Sequence, residues 1–466
     1  MASVVFLQRE LEDRLGAMLL TACAAKHGHR AEIVVDPLRH VRRVVAAKPD
    51  FIAMTVLSPS LPWARRVAAH FKRLLPGVRI VFGGPHPTFL PECIAFPEID
   101  IICIGEGERP LVRMLERYDG TLESIRDTPG LWVKTPGGVI KNPRFALLTA
   151  DELSELPFAD RRHYAGHPVL RRSPHWRTWT SRGCPYKCTF CFEPLYTEMN
   201  KGQGPVVRQR TVASAVAELK HMKELGAKYI DIVDDQFLLA RKWTLEFCEA
   251  YREHVGLPLV VNTLANHLDE ERVRALKHAG VHSICFGIES GVERIRMETY
   301  RKPVKDETIF SVAELLRRHG IDFLTFNILG LPEESLEDMY ATVRINQQIG
   351  TTYPWCSIFQ PYPGSPLGER YGMGAGEQFS YSYFQESVLG DGPRRALVAN
   401  AHKLFAHAVK ANLSFDAFAR LARHTSPLRK LYTGLFYWHY GDGLRRRYGH
   451  SWPGLAKHWV YANARA

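Results

Sequence analysis

The sequence predicts an α/β protein built as two parallel-sheet units and a helical extension. Three observations carry that expectation. Short apolar runs alternate with amphipathic stretches over residues 1–125. The same alternation resumes at residue 176 and continues to about residue 370. From residue 371 to 466 the apolar runs give way to helical periodicity. Alternating strands and helices build parallel βαβ units.

In the first unit, strands are expected at Val4–Leu7, Ala31–Val35, Phe51–Val56, Arg79–Phe82 and Ile99–Ile104, separated by helices at Arg14–Lys26, His40–Ala47 and Pro62–Leu75. This is the pattern of a doubly wound, Rossmann-like sheet, in which ligands sit outside the carboxyl ends of the strands. Three of those ends carry small-residue loops: Leu57-Ser58-Pro59-Ser60, Gly83-Gly84-Pro85-His86 and Gly105-Glu106-Gly107-Glu108. Glycine lets the backbone approach a ligand, and it serves a tight turn equally well. Residues 126–175 read as a linker, with a hairpin around Thr128-Pro129-Gly130 and Thr135-Pro136-Gly137-Gly138.

In the second unit, over 176–370, strands are expected at Trp176–Thr180, Tyr229–Val233, Leu259–Asn262, Ser283–Gly287, Phe323–Leu329 and Tyr353–Phe359. Six such units suit a partial (β/α)6 barrel better than a closed eight-stranded one. Chemistry in such barrels collects at the carboxyl ends of the strands, where Asp234, Asp235, Asn266, Glu289, Asn327 and Gln360 fall. The tail is basic and aromatic, with Phe436-Tyr437-Trp438, Arg445-Arg446-Arg447 and Lys457. It is expected to cover the open side of the barrel.

Hydrophobic residues make up 45% of the 466-residue chain, enough for ordinary cores, and the formal net charge is +12. That balance suits an acidic partner: an anionic substrate, an acidic redox protein or nucleic acid. Nucleic acid is disfavoured, because the basic residues surround no recognisable binding module. The opening residues show no secretory pattern, and no apolar run is long enough to span a bilayer, so a cytoplasmic setting with reduced thiols is expected.

The chemistry is concentrated in Arg182-Gly183-Cys184-Pro185-Tyr186-Lys187-Cys188-Thr189-Phe190-Cys191. Three thiolates at C-x-x-x-C-x-x-C spacing can grip one metal centre. A [4Fe-4S] cluster normally takes four cysteines, so three leave one iron open to a small ligand. Zinc is the alternative, and it would need a fourth ligand such as Glu193 or His175. In its βα context this loop resembles that of the radical S-adenosylmethionine (SAM) enzymes. The order of loops in residues 1–125 is similar to the cobalamin-binding domain found ahead of many of them.

The resemblance implies that Cys184, Cys188 and Cys191 hold a [4Fe-4S] cluster whose open iron chelates SAM. It places Phe190 beside the adenine ring, Gly287, Ile288 and Glu289 near the adenine and methionine portions, Asn327 on the adenine side, and Asp234 and Asp235 at the amino group or ribose. Around Asp234 the sequence departs from the Gly-Gly-Glu form of many members. Ser58, Gly83, Gly84 and Gly105 are the positions expected to meet cobalamin. The D-x-H-x-x-G motif that supplies a histidine to cobalt in many cobalamin proteins is absent.

The implied activity is reductive cleavage of SAM to a 5′-deoxyadenosyl radical that attacks an unactivated carbon of a small molecule. Cobalamin-dependent C-methylation in secondary metabolism, such as antibiotic biosynthesis, leads. A cobalamin-independent dehydratase acting on a sugar such as an aminoglycoside intermediate, with the first domain as scaffold, is the alternative. A flavodoxin or ferredoxin would supply the electron. Methylthio transfer fits less well, because none of Cys23, Cys93 and Cys103 lies at a strand-end loop where the second cluster of those enzymes would sit.

Overall fold

The computed structural model describes residues 1–371, 386–424 and 428–456. Lys457, counted above with the basic tail, lies outside the described residues.

The first sheet contains β1 (Ser3–Gln8), β2 (Arg30–Val35), β3 (Phe51–Thr55), β4 (Arg79–Gly83), β5 (Ile101–Cys103), β6 (Leu131–Thr135) and β7 (Gly138–Lys141). Its spatial order is β2-β1-β3-β4-β5-β6-β7. The first five strands pair in parallel, as the βα alternation requires. They read as near-continuous apolar runs because both faces are covered. Val5, Ile52, Phe82 and Ile102 pack against one helical layer, and Phe6, Ala53, Val81 and Ile101 against the other. The hairpin expected in the linker is β6–β7, and it is not a linker element. It joins the first sheet, with β6 antiparallel to β5. Its hydrophobic residues Leu131 and Val133 are fully buried there, which is why it docks.

The second sheet holds six parallel strands in the order β15-β14-β13-β12-β11-β8. These are β8 (His175–Thr178), β11 (Tyr229–Ile232), β12 (Leu259–Thr263), β13 (Val281–Glu289), β14 (Asp322–Leu329) and β15 (Tyr353–Ile358). Spatial order follows sequence order, the topology of an open half-barrel, and the expected partial barrel is borne out. Beside it lies a two-residue ribbon, β9 (Ser181–Arg182) with β10 (Arg208–Gln209), antiparallel. Three of the outer helices begin on side-chain caps: Thr211 accepts from Ser214 N, Asp269 from Arg272 N, and Ser335 forms a capping box with Asp338.

The strand period of two sorts side chains between the faces. Ile284, Phe286 and Ile288 of β13 pack into the outer helical layer. Cys285 and Leu324 face the concave side, where Leu444 and Tyr448 of helix Arg429–Tyr448 cover them. Tyr448 Oη donates to Asp231 Oδ2 (2.9 Å), and the Arg447 guanidinium reaches Cys285 Sγ (2.9 Å). One tail helix therefore covers the open side of the barrel. Helix Gly392–Lys410 packs on β15 and on helix Leu336–Gln348. No helix among the described residues is long and apolar enough to cross a membrane.

Candidate active site

The carboxyl ends of both sheets face a shared cavity of about 400 Å³. From the first sheet come Thr55, Gly83, Gly84 and the loop Gly105–Glu108; from the barrel side come Trp179, Ser181–Gly183, Glu193 and Val233–Asp235. The cavity also penetrates the first domain, between the sheet residues Phe6, Ala53 and Val81 and the helix residues Leu20, Leu111 and Met114. Protein interiors are normally close-packed, so an apolar slot inside a domain is a receptacle.

Three of the four positions expected to meet cobalamin line this space. Gly84 sits at φ +90, and a Cβ there would lie 2.9 Å from Thr55 Cγ2, so the close approach requires glycine. Ser58 does not line it. It opens a turn of 3-10 helix, and its hydroxyl is 3.0 Å from Nδ1 of the buried His86. No histidine is among the lining residues, consistent with the missing D-x-H-x-x-G motif. An apolar slot under a glycine-rimmed mouth fits a corrinoid.

The cysteine loop hangs from its neighbours through Thr189. Its N–H donates to Tyr300 O (3.0 Å), its hydroxyl to Thr299 O, and its carbonyl accepts from Leu367 N (3.1 Å). Gly183 has φ +85, and a Cβ there would stand 2.3 Å from Val206 O, so the entry to the loop is restricted to glycine. All three cysteines are free thiols. Burial pushes Cys184 and Cys191 up to about 12, and the charge of Cys188 adds to both. Among the described residues no three His, Cys, Asp or Glu side chains converge on the point a single ion would occupy. Three thiols suit a [4Fe-4S] cluster with one open iron; of the fourth ligands that zinc would need, His175 instead meets His450 Nε2 (2.8 Å).

Two carboxyl groups adjoin the thiols. Glu193 accepts from Cys184 N (3.1 Å), and burial, then Asp235, pushes it up to about 7. Asp235 lines the cavity and is pushed up to about 6 by burial and then by Asp234. Asp234 has a different part. Its carboxylate accepts from Thr180 N (2.6 Å), Ser181 N (3.1 Å), Ser181 Oγ (2.8 Å) and Thr180 Oγ1, and so ties down the strand end that leads to the cysteines. Its oxygens are occupied by protein donors, so Asp235 is the one of the two free to meet a ligand.

On β13 the register shifts between Gly287 and Glu289. Glu289 takes φ +67, a left-handed conformation rare for a glutamate, of the kind found where surrounding structure imposes it. The bend aims its carboxylate at Lys302, whose Nζ donates to Oε1 at 2.6 Å in a buried pair. A Cβ on Gly287 would lie 1.9 Å from Glu289 Oε1 and 2.3 Å from Lys302 Nζ, so glycine leaves the pair its room. Lys302 also feels Cys188 and Cys191, and with Glu289 these charges outweigh burial and raise its pKa. Phe190 stacks edge-on against Tyr300 (5.0 Å) at the barrel mouth.

Two expected contacts turn away from the mouth. Ile288 belongs to the outer helical core. Asn327 shares the face of Thr325 and is buried in a network: its Nδ2 donates to Trp355 O (2.8 Å) and Thr325 Oγ1 (3.1 Å), and its Oδ1 accepts from Asn346 Nδ2 (2.9 Å). Ile328 is the β14 residue that faces the mouth, beside Phe190. Asn327→Ala is expected to cost about 1–3 kcal/mol of stability, because buried partners lose their hydrogen bonds. Calorimetric unfolding and SAM binding measured together check it; weakened SAM binding with unchanged stability would restore Asn327 to the ligand.

Sequence reasoning passed over Lys302, Arg182, Arg208, Glu106 and Glu108. Arg182 bridges Glu106 (2.8 Å) and Glu108 (2.6 Å), and Arg208 also reaches Glu106 (2.8 Å). The Gly-Glu-Gly-Glu run is the one local signal for this network, and its glycines explain only the turn.

The chain is similar to known proteins in both of its units. The model of the Radical SAM superfamily matches residues 180–345, and that of the B12 binding domain matches residues 10–115. An uncharacterized methyltransferase of Pyrococcus horikoshii is 29% identical over 329 residues, 69% of each chain. Cytidylyl-2-hydroxyethylphosphonate methyltransferase of Streptomyces wedmorensis is 27% identical over 323 residues, 61% of this chain and 59% of that protein, so less than two thirds of its length is matched. The structure of the radical S-adenosylmethionine methyltransferase TsrM from Kitasatospora setae, with cobalamin and a [4Fe-4S] cluster bound, superposes with a TM-score of 0.66 at 20% identity, covering 80% of this chain and 75% of that one. At that identity the likeness is one of fold. A radical SAM domain implies a [4Fe-4S] cluster and SAM, and a B12-binding domain implies cobalamin.

Proposed function

We propose that this chain, a radical SAM protein with a B12-binding domain ahead of its radical SAM domain, is a cobalamin-dependent methyltransferase acting on an unactivated carbon of a small molecule of secondary metabolism. The observation that carries this reading is the single cavity into which the ends of both sheets open. Curated relatives named as methyltransferases support it. When bound, the cofactors supply one-electron cleavage of SAM and a corrinoid carrier for the methyl group.

The chain's own part is holding and excluding. Cys184, Cys188 and Cys191 would ligate three irons. Glu193 fixes the backbone at Cys184. Asp235 offers acceptors to the donors of SAM, its amino group or its ribose. Lys302 and Glu289 form a charged floor beside Cys188. Phe190 gives an apolar wall. Trp179, Phe192, Tyr196 and Phe89 close the cavity between the domains. Exclusion of water is the protein's chief service to radical chemistry, since the cofactor carries the reactive step.

Anaerobic reconstitution with and without hydroxocobalamin tests this. One cobalamin per chain is expected, with S-adenosylhomocysteine formed only when cobalamin is present. Undiminished 5′-deoxyadenosine formation and substrate turnover without cobalamin would transfer the assignment to dehydration with a scaffolding first domain.

A further inference from the structure

The ribbon β9–β10 places Arg182 directly across from Arg208 in its register. Like charges directly opposite on paired strands repel. Both side chains are largely buried, and Arg208 is 3% exposed, so water does not screen them. Taken alone, the barrel domain would carry an unfavourable pair of cations beside its cysteine loop. Glu106 removes the conflict: its Oε1 is 2.8 Å from each guanidinium, and its Oε2 accepts from Leu148 N (2.9 Å). Glu108 takes the other arm of Arg182 at 2.6 Å. Trp179 stacks beneath that guanidinium, 4.6 Å from ring centroid to Cζ.

The two ends of this network have distinct addresses. Glu106 stands in the loop after β5 and Glu108 opens the helix that follows it; both line the corrinoid cavity together with Gly105 and Gly107. Arg182 stands two residues ahead of Cys184, on backbone that Gly183 holds against Val206. The acids come from one domain, the bases from the other, and each side needs the other to neutralise it. Breaking a buried charge network by removing one partner is costly, because the remaining charge stays buried and unpaired.

We propose that Arg182 is a positioning residue: with Arg208 it forms a receptor for Glu106 and Glu108 that sets how close the corrinoid-bearing loop sits to the cysteine loop. This rests on the reading that the cavity holds cobalamin and the cysteines hold a cluster. The network's function is then to set the separation of two cofactors, and it ligates neither.

The test uses the full chain carrying both cofactors, with Arg182→Gln and, as a variant that preserves side-chain volume, the double change Glu106→Gln/Glu108→Gln. The readout is microwave-power saturation of the cob(II)alamin EPR signal with the cluster reduced or oxidised. A reduced cluster close by speeds cobalt spin relaxation. In the wild-type protein the half-saturation power is expected to rise several-fold on reduction. In both variants cobalamin and iron should be retained, and the rise should be lost. A rise that persists in both variants overturns the proposal, as does loss of either cofactor from both, which would make these residues part of a binding site. A wild-type protein that takes up no cobalamin would instead refute the cofactor reading itself.

Discussion

Cys188→Ala is expected to yield a folded protein that keeps no cluster and cleaves no SAM. The loop does not depend on the Cys188 thiol for its shape, because Thr189 holds it through Tyr300, Thr299 and Leu367. Cys188 is only half-buried, so truncation leaves little cavity. The melting temperature without iron should therefore stay near that of the unloaded wild type. Iron per chain should drop to background, and 5′-deoxyadenosine formation should fall by more than about 100-fold, since even partners outside the ligand shell are worth about 10–100-fold. Iron analysis, the 400 nm absorption band and cleavage assays check this on one sample. Normal iron and cleavage in this variant would remove the three cysteines from the site.

Lys302→Met is expected to have the second largest effect, and on two quantities. Glu289 would be left buried without its partner, and removal of one member of a buried ion pair costs about 3–5 kcal/mol. The same change takes a cation from beside Cys188. Thermal unfolding should move down sharply, and SAM affinity should fall with it. The double variant Glu289→Gln/Lys302→Met separates the two effects. It removes both charges, so most of the stability should return while SAM binding stays weak. Full recovery of SAM binding in the double variant would confine the pair to a structural part.

The elements were legible because they rest on local chemistry. The helices expected at Arg14–Lys26 and His40–Ala47 form as Leu15–Lys26 and Val41–Ala47, each within one residue of the bounds that periodicity predicts. The strands of both sheets fall where apolar runs of four to eight residues predict them, within a residue or two. The sequence predicts a hairpin around Thr135-Pro136-Gly137-Gly138 within the linker, and the structure docks it on β5. Its turn residues announce its shape; its partner, β5, is a matter of docking. The cysteine spacing and the glycine loops were legible for the same local reason. They are short, and their chemistry requires those residue types.

The contacts of single side chains were less legible. Asn327 and Glu289 both stand at strand ends, and the sequence alone treats them alike. In the folded chain the bulge after Gly287 turns Glu289 toward Lys302, while Asn327 follows Thr325 into the helical layer. Asp234 and Asp235 both line the cavity, yet the oxygens of Asp234 are taken up by Thr180 and Ser181 at the strand end, while Asp235 is left to meet a ligand. By itself the sequence determined the fold class, the order of the two domains and the three thiols, because periodicity and close motif spacing are properties of neighbours in the chain. Only the tertiary structure decided which strand-end side chains face the cavity, and that Arg182 meets Glu106 and Glu108 across separations of 76 and 74 residues. Which face a side chain takes depends on register and bulges, and a buried ion pair exists only where packing from distant segments excludes water from both partners.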